Sequence, residues 1–182
     1  CVLILSHLLV FCVRAGAGDD DCAPFKSNER HWECCKPTDL TINASNSFKK
    51  CADKIPSPTR PPAGDASKLS PALKNHVACI MECSFLENGL LTDDKDINKT
   101  SITELYSSNN KELDAVINEA ISDCLDSYKA DVDQSLDCTS GAFEYKNCVD
   151  RYIFVNCPSS FWTPGKACSD FKSKIVKCPK LI

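Results

Sequence analysis

Fourteen cysteines stand in a chain of 182 residues that holds only three histidines. A thiol can ligate a metal, act as a nucleophile or close a disulfide, and spacing helps to separate the three. Cys22, Cys34, Cys35, Cys51, Cys79, Cys83, Cys124, Cys138, Cys148, Cys157, Cys168 and Cys178 form no paired C-x-x-C knuckles of the kind that hold zinc. A chain so rich in cysteine keeps its disulfides only in an oxidising compartment, and such a compartment works against free thiolates. All twelve are therefore expected to be scaffold, each bridge contributing about 2–4 kcal/mol. No metal and no cofactor are expected. A bridge between the adjacent Cys34 and Cys35 would strain the backbone, so each should bond elsewhere. Cys79 and Cys83 lie four apart in a helical stretch, on one face, and can tie it to two other segments.

Acid–base chemistry has little to work with. Outside the apolar leader, only His31 and His76 carry an imidazole, and neither sits in a recognisable motif. Calcium-dependent secreted phospholipases place a histidine shortly after paired cysteines, but here Cys34-Cys35 is followed by Lys36-Pro37-Thr38-Asp39. There is no G-x-S-x-G, phosphate loop or H-E-x-x-H, and Asp93-Asp94-Lys95-Asp96 lacks the glycine and closing glutamate of a calcium loop. The chain is expected not to be an enzyme. His76 reads as an exposed or singly hydrogen-bonded residue, with a pH-sensing role as the alternative. Trp32, beside His31, reads as a packing anchor.

The elements that carry these residues follow from the apolar pattern. The chain opens on an apolar run from Val2 to Val13, followed by Ala15-Gly16-Ala17, and residues 1–17 are read as a secretion signal that lacks its charged leader. Cleavage after Ala17 removes Cys1 and Cys12 and leaves an even twelve. No later stretch reaches the roughly 20 apolar residues of a membrane-spanning helix. With a net charge of −4 and its Lys and Arg scattered, the chain offers no footprint for nucleic acid. Localisation is expected to be secreted and extracellular. Asn43-Ala44-Ser45 and Asn98-Lys99-Thr100 are candidate glycosylation sequons at Asn43 and Asn98.

Residues 18–50 are polar and weakly periodic, and are expected to form an irregular arm. Four prolines between Pro56 and Pro62 dictate an extended loop. The helical pattern begins at Ser70-Pro71, an N-cap followed by proline, and stops at Gly89. Ser101 to Tyr106 suits a short helix. From Lys111 to Lys129, Leu113, Val116, Ile117, Ala120, Ile121, Cys124, Leu125 and Tyr128 recur at helical spacing and cover about half of the wheel. Gly141 to Asn156 is helical up to the stop that Pro158 imposes, residues 159–165 turn, and Lys166 to Lys177 suits a last helix. No stretch alternates as a strand would. A single all-α domain is expected.

The spacing Cys51, Cys79-x3-Cys83, Cys138-x9-Cys148-x8-Cys157-Pro158, then Cys168, resembles that of the Plus-C insect odorant-binding proteins over nearly the whole chain after residue 17. The resemblance implies a compact disulfide-linked helical domain of the insect odorant-binding, or pheromone-binding, type with N- and C-terminal extensions. Within residues 18–182 it would divide the chain into an arm and loop at 18–65, a helical core at 66–157 and an extension at 158–182. It further implies Cys51 paired with Cys83, Cys79 with Cys148, and a fourth core cysteine, either Cys124 or Cys138, with Cys157.

In such a scaffold the bridges tolerate an unfilled interior. The candidate pocket lining is Val77, Ile80, Met81 and Phe85, then Leu113, Val116, Ile117, Ala120 and Ile121, then Phe143, Val149, Tyr152 and Ile153, with Phe161 and Trp162 near one end. The same residues would equally form an ordinary core. The resemblance implies a non-enzymatic carrier of small hydrophobic molecules such as odorants or semiochemicals, moved through aqueous lymph. An odorant receptor or a second copy of the chain would be further partners, and the extension would cover the pocket or share in it. The competing readings are a general lipophile carrier in non-sensory tissue, and a secreted inhibitor or host-defence protein working through the loop at 56–62.

Overall fold

The computed structural model describes residues 22–25, 28–36, 44–58, 70–179 and 181. Residues 1–17, expected to be a secretion signal, Asn43 and the second half of the proline-rich loop lie outside the described residues. Among the described residues there are six α-helices and no strand. They are α1 (Ala44–Lys54), α2 (Pro71–Glu87), α3 (Lys99–Leu105), α4 (Lys111–Ser127), α5 (Ala142–Val155) and α6 (Lys166–Lys177). Two isolated bridges, Cys35 with Trp162 and Leu91 with Ile97, are the only extended pairings described.

Helix ends fall where local chemistry puts them. The Ser70 hydroxyl oxygen accepts from the Leu73 N–H at 3.2 Å, and Pro71 takes the first helical position, where its missing N–H costs nothing. The other end of α2 is a Schellman closure: Gly89 has φ +67°, its N–H donates to the Leu86 carbonyl at 3.0 Å, and the Leu90 N–H donates to the Phe85 carbonyl at 2.8 Å. Asn98 caps α3, and the Asn110 side-chain oxygen caps α4 by accepting from Glu112 and Leu113.

Helix α1 occupies part of the segment expected to be irregular. Phe48, Cys51, Ala52 and Ile55 recur at i, i+3, i+4 and i+7, a stripe that the surrounding Lys and Ser obscure. The helix packs on α2 through fully buried Cys51, and Lys50 and Lys54 both pair with Glu87 of α2. These ion pairs hold the Glu87 carboxyl below its usual range.

The main core lies between α4, α5 and the end of α2. Leu113, Ile117, Ala120, Ile121 and Cys124 of α4 meet Ala142, Tyr145, Val149 and Ile153 of α5, with Ile102 and Tyr106 closing one side. A second apolar cluster joins the N-terminal segment to α6, where Cys34, Phe154, Cys168 and Ile175 pack with Phe25, Trp162 and Phe171.

All twelve cysteines among the described residues are bridged: Cys22–Cys178, Cys34–Cys168, Cys35–Cys157, Cys51–Cys83, Cys79–Cys138 and Cys124–Cys148. Neighbouring Cys34 and Cys35 bond apart, as their geometry requires, and Cys79 and Cys83 tie α2 to two segments. Cys51–Cys83 is the pair the resemblance implied. The other two are corrected, since Cys79 takes Cys138 rather than Cys148, and Cys157 takes Cys35 rather than Cys124 or Cys138. The physical reason is the packing of α4 on α5, which brings Cys124 and Cys148 to a Cα separation of 5.8 Å. Within Cys51, Cys79, Cys83, Cys124, Cys138 and Cys148, first pairs with third, second with fifth and fourth with sixth. The implied interlock thus survives, one cysteine earlier along the chain.

One carboxylate is buried among these contacts. Glu82, 5% exposed, accepts from Lys95 Nζ at 2.9 Å and from the Ser140 N–H at 3.0 Å, joining α2 to the loops on either side of α3 and α4. Burial alone would raise its pKa, but the Lys95 and Ser140 hydrogen bonds outweigh it and the net shift is downward. A carboxyl with a depressed folded pKa adds stability above its unfolded value, about 4.3, and loses it as pH falls through the folded value. The stability difference between the native chain and Glu82→Gln should therefore be full at pH 6 and shrink below about pH 4, as measured by urea unfolding across that range. A gap that widens on acidification would refute this assignment.

Candidate functional site

Helices α1, α2, α3 and α5 leave a hollow of about 220 Å³ between them. Phe48 of α1 borders it. Met81, Ser84 and Phe85 come from α2, Asn88 and Leu90 from its C-terminal closure, Leu105 and Tyr106 from the end of α3, and Lys146 from α5. The helix closure matters here, because the left-handed turn at Gly89 directs Leu90 back under α2. The lining is mostly apolar and its polar groups are largely engaged. Asn88 donates to the Ser84 carbonyl at 2.6 Å and accepts from the Ser47 hydroxyl at 3.1 Å, while Lys146 pairs with Asp150. Burial, reinforced by Asp150 and Tyr145, holds the Tyr106 phenol far above its usual range, so it stays neutral and can only donate or accept a hydrogen bond.

Of the residues singled out by sequence, Met81 and Phe85 line this hollow. Leu113, Ile117, Ala120, Ile121, Val149 and Ile153 pack against one another in the main core, and Ile80 is buried. Val116 and Phe161 lie against that core partly exposed, as does Tyr152, whose hydroxyl donates to Glu119 at 3.2 Å. Val77 and Phe143 are also partly exposed. The stripe on α4 and α5 thus supplies packing, and the hollow sits at its edge. Phe48, Ser84, Asn88, Leu90, Leu105, Tyr106 and Lys146 escaped sequence reasoning. Leu90, the residue directly after the legible helix stop at Gly89, was the one with a local signal.

A second depression, about 590 Å³ and open to solvent, runs along α6. Ser169, Lys172, Ser173 and Val176 form its helical wall, and Cys157, Ser159 and Trp162 form the other. Trp162 therefore stands away from the first hollow.

The two histidines are set apart from both. His31 stacks on Phe25 at 4.4 Å and meets Trp32 and Phe154 edge-on. Burial lowers its pKa, against a smaller upward pull from Glu29. His76 Nδ1, like His31 Nδ1, is buried without a hydrogen-bond partner among the described residues. Asn98 uses its side-chain oxygen as the α3 cap, with Lys99 and Thr100 exposed beside it. No described group of His, Cys, Asp and Glu is arranged to hold a metal ion, and no described helix is long and apolar enough to cross a membrane.

The class that these features define is a disulfide-braced all-α protein of an oxidising, extracellular type of environment, with an apolar hollow at the edge of its core. Compared with protein-family models and with curated proteins, the chain matches none.

Proposed function

We propose that this protein is a secreted, non-enzymatic carrier that binds small hydrophobic molecules reversibly, in the manner of the insect odorant-binding proteins it resembles. The carrying observation is the apolar hollow bounded by Phe48, Met81, Phe85, Leu90, Leu105 and Tyr106 inside a cross-linked helical shell. The six-helix, six-disulfide architecture and the Cys51–Cys83 bridge support the resemblance, while the other two implied pairings do not form.

The volume bounds the cargo. A dry cavity of about 150 Å³ takes benzene, and drug-sized ligands occupy about 300–1,000 Å³. A hollow of about 220 Å³ therefore suits a substituted aromatic or a compact terpenoid, with a hydroxyl or carbonyl directed at Tyr106. Release is compatible with this site because the lining offers no charge free to trap the cargo.

Toluene and its alkyl homologues, added to the purified protein and followed by ligand-observed NMR, should saturate at one molecule per chain. Ser84→Leu grows a side chain into the hollow and should weaken binding about tenfold or more, a loss of about 1.4 kcal/mol or more, while circular dichroism stays unchanged. Leu105→Phe provides a second filling variant. Absence of saturable binding to the native chain, or unchanged affinity in both folded variants, would overturn the carrier reading.

A further inference from the structure

The open groove along α6 has a composition different from the hollow's, and it does not depend on the carrier reading. Taking 100° per residue, Ser169, Lys172, Ser173 and Val176 share one face of α6, while Cys168, Phe171 and Ile175 turn inward to the second apolar cluster. Val176 is 54% exposed and lines the groove together with Trp162. The Lys172 ammonium lies 5.2 Å from the Trp162 ring centroid and makes no ion pair with a described carboxylate, whereas Lys166 is tied to Asp170 at 2.6 Å. The groove therefore keeps one cation over an apolar floor in a chain whose net charge is −4.

The hydroxyls sharpen the selectivity. Ser169 and Ser173 donate back to the carbonyls of Gly165 and Ser169, at 3.1 and 2.9 Å, so neither has its proton to offer an incoming anion. Polar recognition is left to Lys172 and to Ser159, which also lines the groove, and apolar contact to Trp162 and Val176.

We propose that this groove is a second binding site, separate from the hollow, for a single amphiphilic anion: an alkyl carboxylate whose chain lies on Trp162 and Val176 and whose head group pairs with Lys172. The concave shape favours one molecule over the flat face of a bilayer, and an aliphatic chain over the hollow's compact cargo. A carboxylate arriving at Lys172 strengthens its attraction in a partly desolvated setting without displacing any existing ion pair.

The chain has two tryptophans, so Trp32→Phe leaves Trp162 as the only indole reporter. Decanoate, held below its micellar concentration, should change Trp162 fluorescence saturably with one molecule per chain, and decanol should bind more weakly. Lys172→Gln should weaken decanoate about threefold at low salt and abolish the preference over decanol, while Val176→Asp should remove the response. Ser84→Leu, which fills the hollow, should leave it intact. Equal affinity for decanoate and decanol together with an unchanged Lys172→Gln response would overturn the proposal. So would loss of the response in Ser84→Leu, which would assign decanoate to the hollow, or a response only to phosphatidylserine vesicles, which would make the face a membrane contact.

Discussion

Gly141→Ala is expected to destabilise the fold by about 2–5 kcal/mol, the sum of two costs. Gly141 has φ +77° at the start of α5, and a side chain in that left-handed conformation costs roughly 1–2 kcal/mol. The added Cβ would also stand 2.6 Å from Cδ2 and Cε2 of Tyr128 and 2.9 Å from Val132 Cγ2. Tyr128 is poorly placed to yield, because it is 3% exposed and its ring packs edge-on against Tyr145 at 5.7 Å. Forcing one methyl into such a contact costs about 1–3 kcal/mol. Gly89→Ala supplies the control. Its φ is +67°, yet nothing lies within 4 Å of the added Cβ, so only the conformational cost applies. Urea unfolding should rank the variants with Gly141→Ala well below Gly89→Ala. Equal losses would show that Tyr128 does not crowd Gly141.

Removing Cys79–Cys138 by Cys79→Ser with Cys138→Ser should cost about 2–5 kcal/mol, equivalent to roughly 10 °C in the thermal midpoint for a chain of this size. This bridge anchors a seam rather than a point. Along α2, Lys74 pairs with Asp133 at 2.6 Å, Asn75 exchanges two hydrogen bonds with Asp137, and Glu82 accepts from Ser140. The disulfide stands in the middle of that series and fixes the loop that delivers the chain into α5. Lys74 and Ser135 hold the Asp133 carboxyl well below its usual range, so the stability it contributes is full above its unfolded value, about 3.9, and declines as pH falls below that in both the native chain and the double variant. Scanning calorimetry at pH 7 and pH 3 checks both statements. Non-reducing peptide mapping checks the connectivity itself, since a peptide linking Cys79 to Cys148 would restore the pairing that the resemblance implies.

Much of the helical framework was legible because its signals are local. Ser70-Pro71 and Gly89 bracket α2, Pro158 bars α5 from running on, and α6 ends at Lys177 as its pattern indicates. Where the local signal was faint, reading failed. In α1, four apolar or small residues are diluted by Lys, Ser and Asp, and the helix is held chiefly by Cys51–Cys83 and the Glu87 ion pairs, which no window of sequence displays. The candidate pocket shows the same limit. Amphipathic periodicity says which face of α4 turns inward, but a packed wall and an open one have the same pattern.

By itself, then, the sequence determined the oxidising setting implied by its cysteines, the all-helical class and most helix ends, because each follows from residue chemistry or from contacts within a few positions. Tertiary structure alone decided which cysteines meet, that α1 is a helix packed on α2, that the α4 and α5 stripe is solid, and that the hollow opens beside Met81 and Tyr106. Those outcomes depend on distances between residues far apart in the chain, and such distances are set only when whole helices pack.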